Sequence, residues 1–75
     1  MGVQKNIKRL LQNPREMRFK EVKNILEYFG YNLVRITGSH HIFEDNSGDR
    51  IVFPVHSRRV TNVYLKSIKS VIFKP

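Results

Sequence analysis

Apolar positions along the chain recur with a helical period up to about residue 30, read as strands from Tyr31 to Phe53, and return to a helical period from Leu65. Val3, Ile7, Leu10 and Leu11 fall at i, i+4, i+7 and i+8, one face of a helix, while Lys5, Lys8 and Arg9 lie off that face. Asn13-Pro14 closes the segment, because proline disfavours helical backbone in the residue before it. The spacing predicts a short amphipathic helix over residues 3–12. Phe19, Val22, Ile25, Leu26 and Phe29 repeat in the same way, with Lys20, Glu21, Lys23, Asn24 and Glu27 on the other side. Gly30 follows as a left-handed stop, so a second helix is predicted over about residues 18–29. Its apolar stripe is core material.

From Tyr31 to Thr37 the chain is rich in β-branched and aromatic residues, the composition of a strand. His40 to Glu44 reads as a second strand, with Gly38 and Ser39 as the two-residue turn between them. Asp45-Asn46-Ser47-Gly48-Asp49 is a cluster of turn formers, Arg50 to Phe53 a third strand, and Pro54 its end. Val55 to Thr61 reads as a polar connection carrying Arg58 and Arg59. Leu65, Ile68, Val71 and Ile72 mark a last helix over residues 62–72, with Thr61 or Asn62 as N-cap. The order is α-α-β-β-β-α. A three-stranded antiparallel sheet needs one face covered, and the helices before and after it can share that face. The expected fold is therefore α+β, of the double-stranded-RNA-binding-domain type, with the other sheet face open.

Length limits the chain to one domain, residues 1–75, with a thin core. The absence of cysteine excludes a disulfide framework and a thiolate metal site, which fits a reducing, cytoplasmic setting. No apolar run approaches the roughly 20 residues of a membrane span, and none near the start resembles a signal peptide. Charge changes the picture more. The net value is +8, with +5 in residues 1–20, zero in 21–37, −2 in 38–54 and +5 in 55–75. Two basic ends flank a nearly neutral hairpin, an arrangement that attracts phosphate backbones or an acidic protein.

The candidate chemistry sits at the hairpin, in Thr37-Gly38-Ser39-His40-His41-Ile42-Phe43. Histidine can take and give a proton near neutral pH. Alternation places His41 and Phe43 on one sheet face and His40, Ile42 and Glu44 on the other. If Phe43 takes the covered side, His40 is the open-face histidine and His41 is partly buried; Ile42 competes for the same place. Ser39 beside His40 is not a nucleophile–base pair, since strand neighbours point to opposite faces. The three histidines lack the carboxylate spacing of a zinc signature, there is no phosphate-cradling glycine loop, and no cofactor is implied.

Together these pieces resemble the HicA (YcfA-like) toxin family of type II toxin–antitoxin systems. The resemblance is carried by Phe19-Lys20-Glu21-Val22 opening a helix, Leu26-Glu27-Tyr28-Phe29-Gly30-Tyr31 at its end, Gly38-Ser39-His40-His41-Ile42-Phe43, and Phe53-Pro54-Val55-His56. It covers about residues 17–72, and the helix at 3–12 is an N-terminal extension outside that core.

The resemblance implies an mRNA interferase of double-stranded-RNA-binding-domain fold, neutralised by a HicB-like antitoxin, with His40 as the catalytic residue. Such cleavage uses the ribose 2′-OH as internal nucleophile. His40 would serve as general base or acid, the choice being open. Ser39 would orient a phosphate oxygen, with Gly38 beside it among the RNA-binding residues, and Arg35, Arg58 or Arg59 would supply charge; His56 is the candidate second histidine, the alternative being a loop histidine with a structural hydrogen bond. Two other classes remain open: a non-catalytic RNA-binding module of the same fold, and a basic interaction protein for an acidic partner.

Overall fold

The computed structural model describes residues 2–73; Met1, Lys74 and Pro75 of the expected 1–75 domain lie outside the described residues. The elements run α1 (Val3–Leu11), β1 (Glu16–Arg18), α2 (Phe19–Tyr28), β2 (Asn32–Thr37), β3 (His40–Glu44), β4 (Arg50–Pro54), β5 (Arg59–Thr61) and α3 (Asn62–Ile72). The three helices and the antiparallel meander β2-β3-β4 are those the periodicity predicts, and the fold is α+β.

Register fixes which residues share a face. Leu33, Phe43 and Ile51 stand opposite one another, as do Ile36, His41 and Phe53. Phe43, Ile51 and Phe53 are buried there together with Val22, Ile25 and Leu26 of α2 and Leu65 and Ile68 of α3. The rings of Phe43 and Phe53 stack at 5.6 Å across the strands. Helices thus cover one face only. The rows Arg35–Ile42–Val52 and Thr37–His40–Pro54 occupy the other face. Val52 is half exposed there, and Arg35 and His40 are exposed.

Two features depart from the expectation. First, β1 and β5 pair as a separate two-stranded ribbon, Glu16 opposite Thr61, Met17 opposite Val60 and Arg18 opposite Arg59. Val55 to Thr61 is therefore not a plain connection. His56 and Arg59 exchange backbone hydrogen bonds of 3.1 and 2.8 Å around Ser57 and Arg58, whose φ values are +52° and +63°. Two positive central φ angles define a type I′ turn, normally Asn-Gly or Gly-Gly. Ser-Arg gives no such signal and holds two side-chain-bearing residues in the left-handed region, at about 1–2 kcal/mol each.

Second, the stripe of α1 has a place in the core. Leu10 is buried, Val3 and Ile7 pack against the same cluster, and only Leu11 is left out at 55% exposure. The Asn6 amide donates to the Asn24 side chain at 2.8 Å, tying α1 to α2. Asn13 ends the helix at φ +54°, a left-handed conformation asparagine tolerates, and its side chain accepts from Lys69 of α3. Leu10, ahead of the family-like core at 17–72, thus supplies one of its buried side chains.

Candidate nucleic-acid interface

The β2–β3 hairpin turns through Gly38 and Ser39. Gly38 has φ +61° and Ser39 is absent from the positive-φ residues, the pattern of a type II′ turn with glycine at its first central position. The Ser39 carbonyl accepts two hydrogen bonds, from the Val55 N–H at 2.8 Å and from His41 Nδ1 at 2.9 Å. A carbonyl oxygen can only accept, so His41 Nδ1 carries the proton. The His41 ring also lies edge-on to Phe19, the first residue of α2, at 4.7 Å. His41 is therefore half-buried and fixed from two sides.

His40 differs. It is exposed on the open face, opposite Thr37 on one side and Pro54 on the other. Arg35 lies one row along on the same face, diagonal to His40. Such diagonal positions are about 7–8 Å apart, within reach of an arginine side chain. Beyond Pro54 the Val55 N–H donates to the Ser39 carbonyl and Val55 packs against the core, while His56 is exposed and pairs with Arg59 at the base of the Ser57-Arg58 turn. The open face carries Ile42 and Val52 at its centre and a Glu44–Arg50 pair at 2.7 Å at its far end.

Arg58 and Arg59 stand apart from this group. With Ser57 they line a groove against Arg18, Phe19 and Lys20. The Phe19 N–H donates to the Arg58 carbonyl at 2.9 Å, which seats the strained turn on the start of α2. The predicted site residues thus fall into two sets. Gly38, Ser39, His40 and Arg35 lie on the β2–β3 hairpin, Arg58 and Arg59 belong to a neighbouring cationic groove, and His56 stands at the base of the Ser57-Arg58 turn. Phe19 joins the two, since it lines that groove and touches His41.

Arg18 and Lys20 were missed as groove cations. The net +5 of the first twenty residues was the signal, but its direction depends on the β1–β5 pairing. Among the described residues no group of three or more histidine, cysteine or acidic side chains comes together as a metal site, and no helix is long and apolar enough to cross a membrane.

Comparison with curated proteins and with solved structures returns no match to this chain. The comparison with protein families does: residues 19–72, from the start of α2 to the end of α3, match the family described as the HicA toxin of bacterial toxin–antitoxin systems. That segment holds the hairpin, the open sheet face and the Ser57–Arg58 turn, and the chain belongs to the HicA toxin family.

Proposed function

We propose that this toxin is an endoribonuclease that cuts mRNA at the open sheet face, with His40 as its proton-transfer residue. The observation that carries the reading is family membership across the whole segment that builds this face. The exposed imidazole of His40, diagonal to Arg35, and a basic surface alongside it support it further.

The chemistry follows from RNA itself. The 2′-oxygen attacks the adjacent phosphorus while the bond from phosphorus to the 5′-oxygen breaks, leaving a 2′,3′-cyclic phosphate and a free 5′-hydroxyl. One proton leaves the 2′-OH and one arrives at the 5′-oxygen. His40 handles one of these transfers, and His56, two residues beyond the Pro54 that pairs with His40, is the candidate for the other. Arg35 offsets the charge that builds on the phosphate oxygens, and Gly38 and Ser39 at the turn position it. Arg58 and Arg59 hold flanking phosphates, which orient the strand without reading sequence. His41 has a different part. Its bonds to Ser39 and Phe19 keep the turn in shape.

The same face suits an antitoxin. Ile42 and Val52 give it an apolar centre beside Arg35 and His40, the surface that an acidic HicB-like protein would cover. A reducing cytoplasm, where mRNA is found, is consistent with a chain free of cysteine.

The test is to incubate the purified protein with single-stranded RNA and with a DNA of the same sequence. Cleavage of RNA to cyclic-phosphate ends, with DNA left whole, is expected. Binding of RNA without any cleavage would instead make the chain a non-catalytic RNA-binding module.

A further inference from the structure

The α1 helix precedes the family-matched segment, yet it presents a built cationic face. Lys5, Lys8, Arg9 and Gln12 fall at i, i+3, i+4 and i+7, opposite the buried side formed by Val3, Ile7 and Leu10. These four line a groove with Arg18, Glu21 and Arg59. Its one carboxylate is already engaged: Glu21 accepts the Arg18 N–H at 3.1 Å and lies 4.0 Å from Arg9. Arg59 pairs with Glu16 at 3.4 Å, but both are about half exposed, so the pair is weak and readily exchanged for a phosphate. Helix packing holds the lysines in place, because α1 is anchored through Leu10 and the Asn6–Asn24 bond.

The groove is also continuous with the one beside the hairpin. Arg18 and Arg59 line both. A cationic track therefore runs from Phe19, in contact with His41, past Arg58, Arg59, Lys20 and Arg18 to Lys5 and Lys8. We propose that this track is a second binding site, for the phosphodiester backbone of single-stranded RNA some nucleotides away from the cleaved bond. The α1 face sets how strongly long RNA is preferred over short. The proposal rests on the ribonuclease reading above and adds to it a substrate-length dependence. An RNA strand fits better than an acidic protein, because the track is a line of separate cations carried on helices and strands, with the Phe19 ring at one end as a surface on which a base can stack.

The experiment measures binding of 2′-O-methyl RNA, which 2′-OH attack cannot cut, at about 4 and about 16 nucleotides over a range of salt. For wild type, the longer strand binds more tightly and with a steeper dependence of log affinity on log salt. Lys5→Ala/Lys8→Ala removes two phosphate contacts and lowers the slope for the longer strand by about 1.4, since each contact on a single strand contributes about 0.7. The length preference shrinks with it. Lys66→Glu changes net charge equally but lines neither groove, and keeps both the slope and the preference. Alanine keeps α1 helical, which circular dichroism verifies. An unchanged slope in the double variant, or an equal drop in Lys66→Glu, overturns the proposal and leaves the ribonuclease reading standing. A double variant that loses affinity for polyglutamate but not for RNA makes the α1 face a protein contact and also overturns it. A wild type that binds neither RNA overturns both readings.

Discussion

Replacing Leu10 by alanine tests whether α1 is part of the fold or an appendage to it. Leu10 is 1% exposed and packs in the same cluster as Val22, Ile25 and Leu26. The substitution removes three buried carbons at about 0.8 kcal/mol each, roughly 2.4 kcal/mol of transfer free energy. The cavity left between helices that relax only partly raises this to about 3–4 kcal/mol. A chain of this length has a total stability of roughly 4–11 kcal/mol, so the loss is a large share of it. In urea, with a slope of about 1 kcal/mol/M for so small a domain, the unfolding midpoint should fall by about 3 M. Leu11→Ala is the control. Leu11 is 55% exposed on the neighbouring helical position, and its loss should cost no more than about 0.5 kcal/mol. Equal, small effects at the two positions would mean that α1 does not dock, and would remove the footing of the cationic face it carries.

Three further outcomes follow from particular residues. Arg58→Gly should raise stability by about 0.5–1 kcal/mol in thermal unfolding, by relieving a left-handed arginine, while weakening RNA binding; stability unchanged or lower would deny the strain. The Ser47 hydroxyl, with the Asp49, Ser47 and Gly48 backbone, holds the Asp45 carboxyl below its ordinary value. Its contribution is present above about pH 4 and fades as pH falls through the lowered folded value, so wild type and Asp45→Asn should differ in unfolding midpoint at neutral pH and converge in acid. Co-expression with an acidic HicB-like antitoxin should shield His40 from chemical modification while leaving the helix-covered core unchanged, and equal reactivity in the free and bound toxin would rule out coverage of the open face.

Where the sequence was legible, one physical signal dominated. Helical periodicity located α1, α2 and α3 because each buries a single stripe, and the Gly38-Ser39 pair located the hairpin because a two-residue turn there needs a positive φ. The period of two put His41 and Phe43 on one face and His40 and Ile42 on the other, but left open which face is covered; the stacked, buried phenylalanines of β3 and β4 decide it, with Phe43 inside and His40 outside. The β1–β5 ribbon was not legible. Its strands are three residues long, too short for alternation to register, and its turn uses Ser57-Arg58 where glycine or asparagine would have marked it. The separation of Arg58 and Arg59 from His40 follows from that ribbon and was hidden with it. The docking of α1 was hidden for another reason. A spare apolar stripe looks the same in sequence whether it covers its own core or waits for a partner, and only the burial of Leu10 and the Asn6–Asn24 bond decide.

The account stands most directly on His40. The decisive measurement is the rate of RNA cleavage by purified wild type, His40→Ala and His41→Ala at one pH, each first verified as folded by circular dichroism. His40 is exposed on the open face, so His40→Ala should keep its unfolding midpoint and lose cleavage by at least about 100-fold, the usual contribution of a general acid or base. His41→Ala, which loses the bond to the Ser39 carbonyl and the contact with Phe19, should lower the midpoint and retain part of the activity. A His40→Ala protein that cuts RNA at the wild-type rate would contradict the claim.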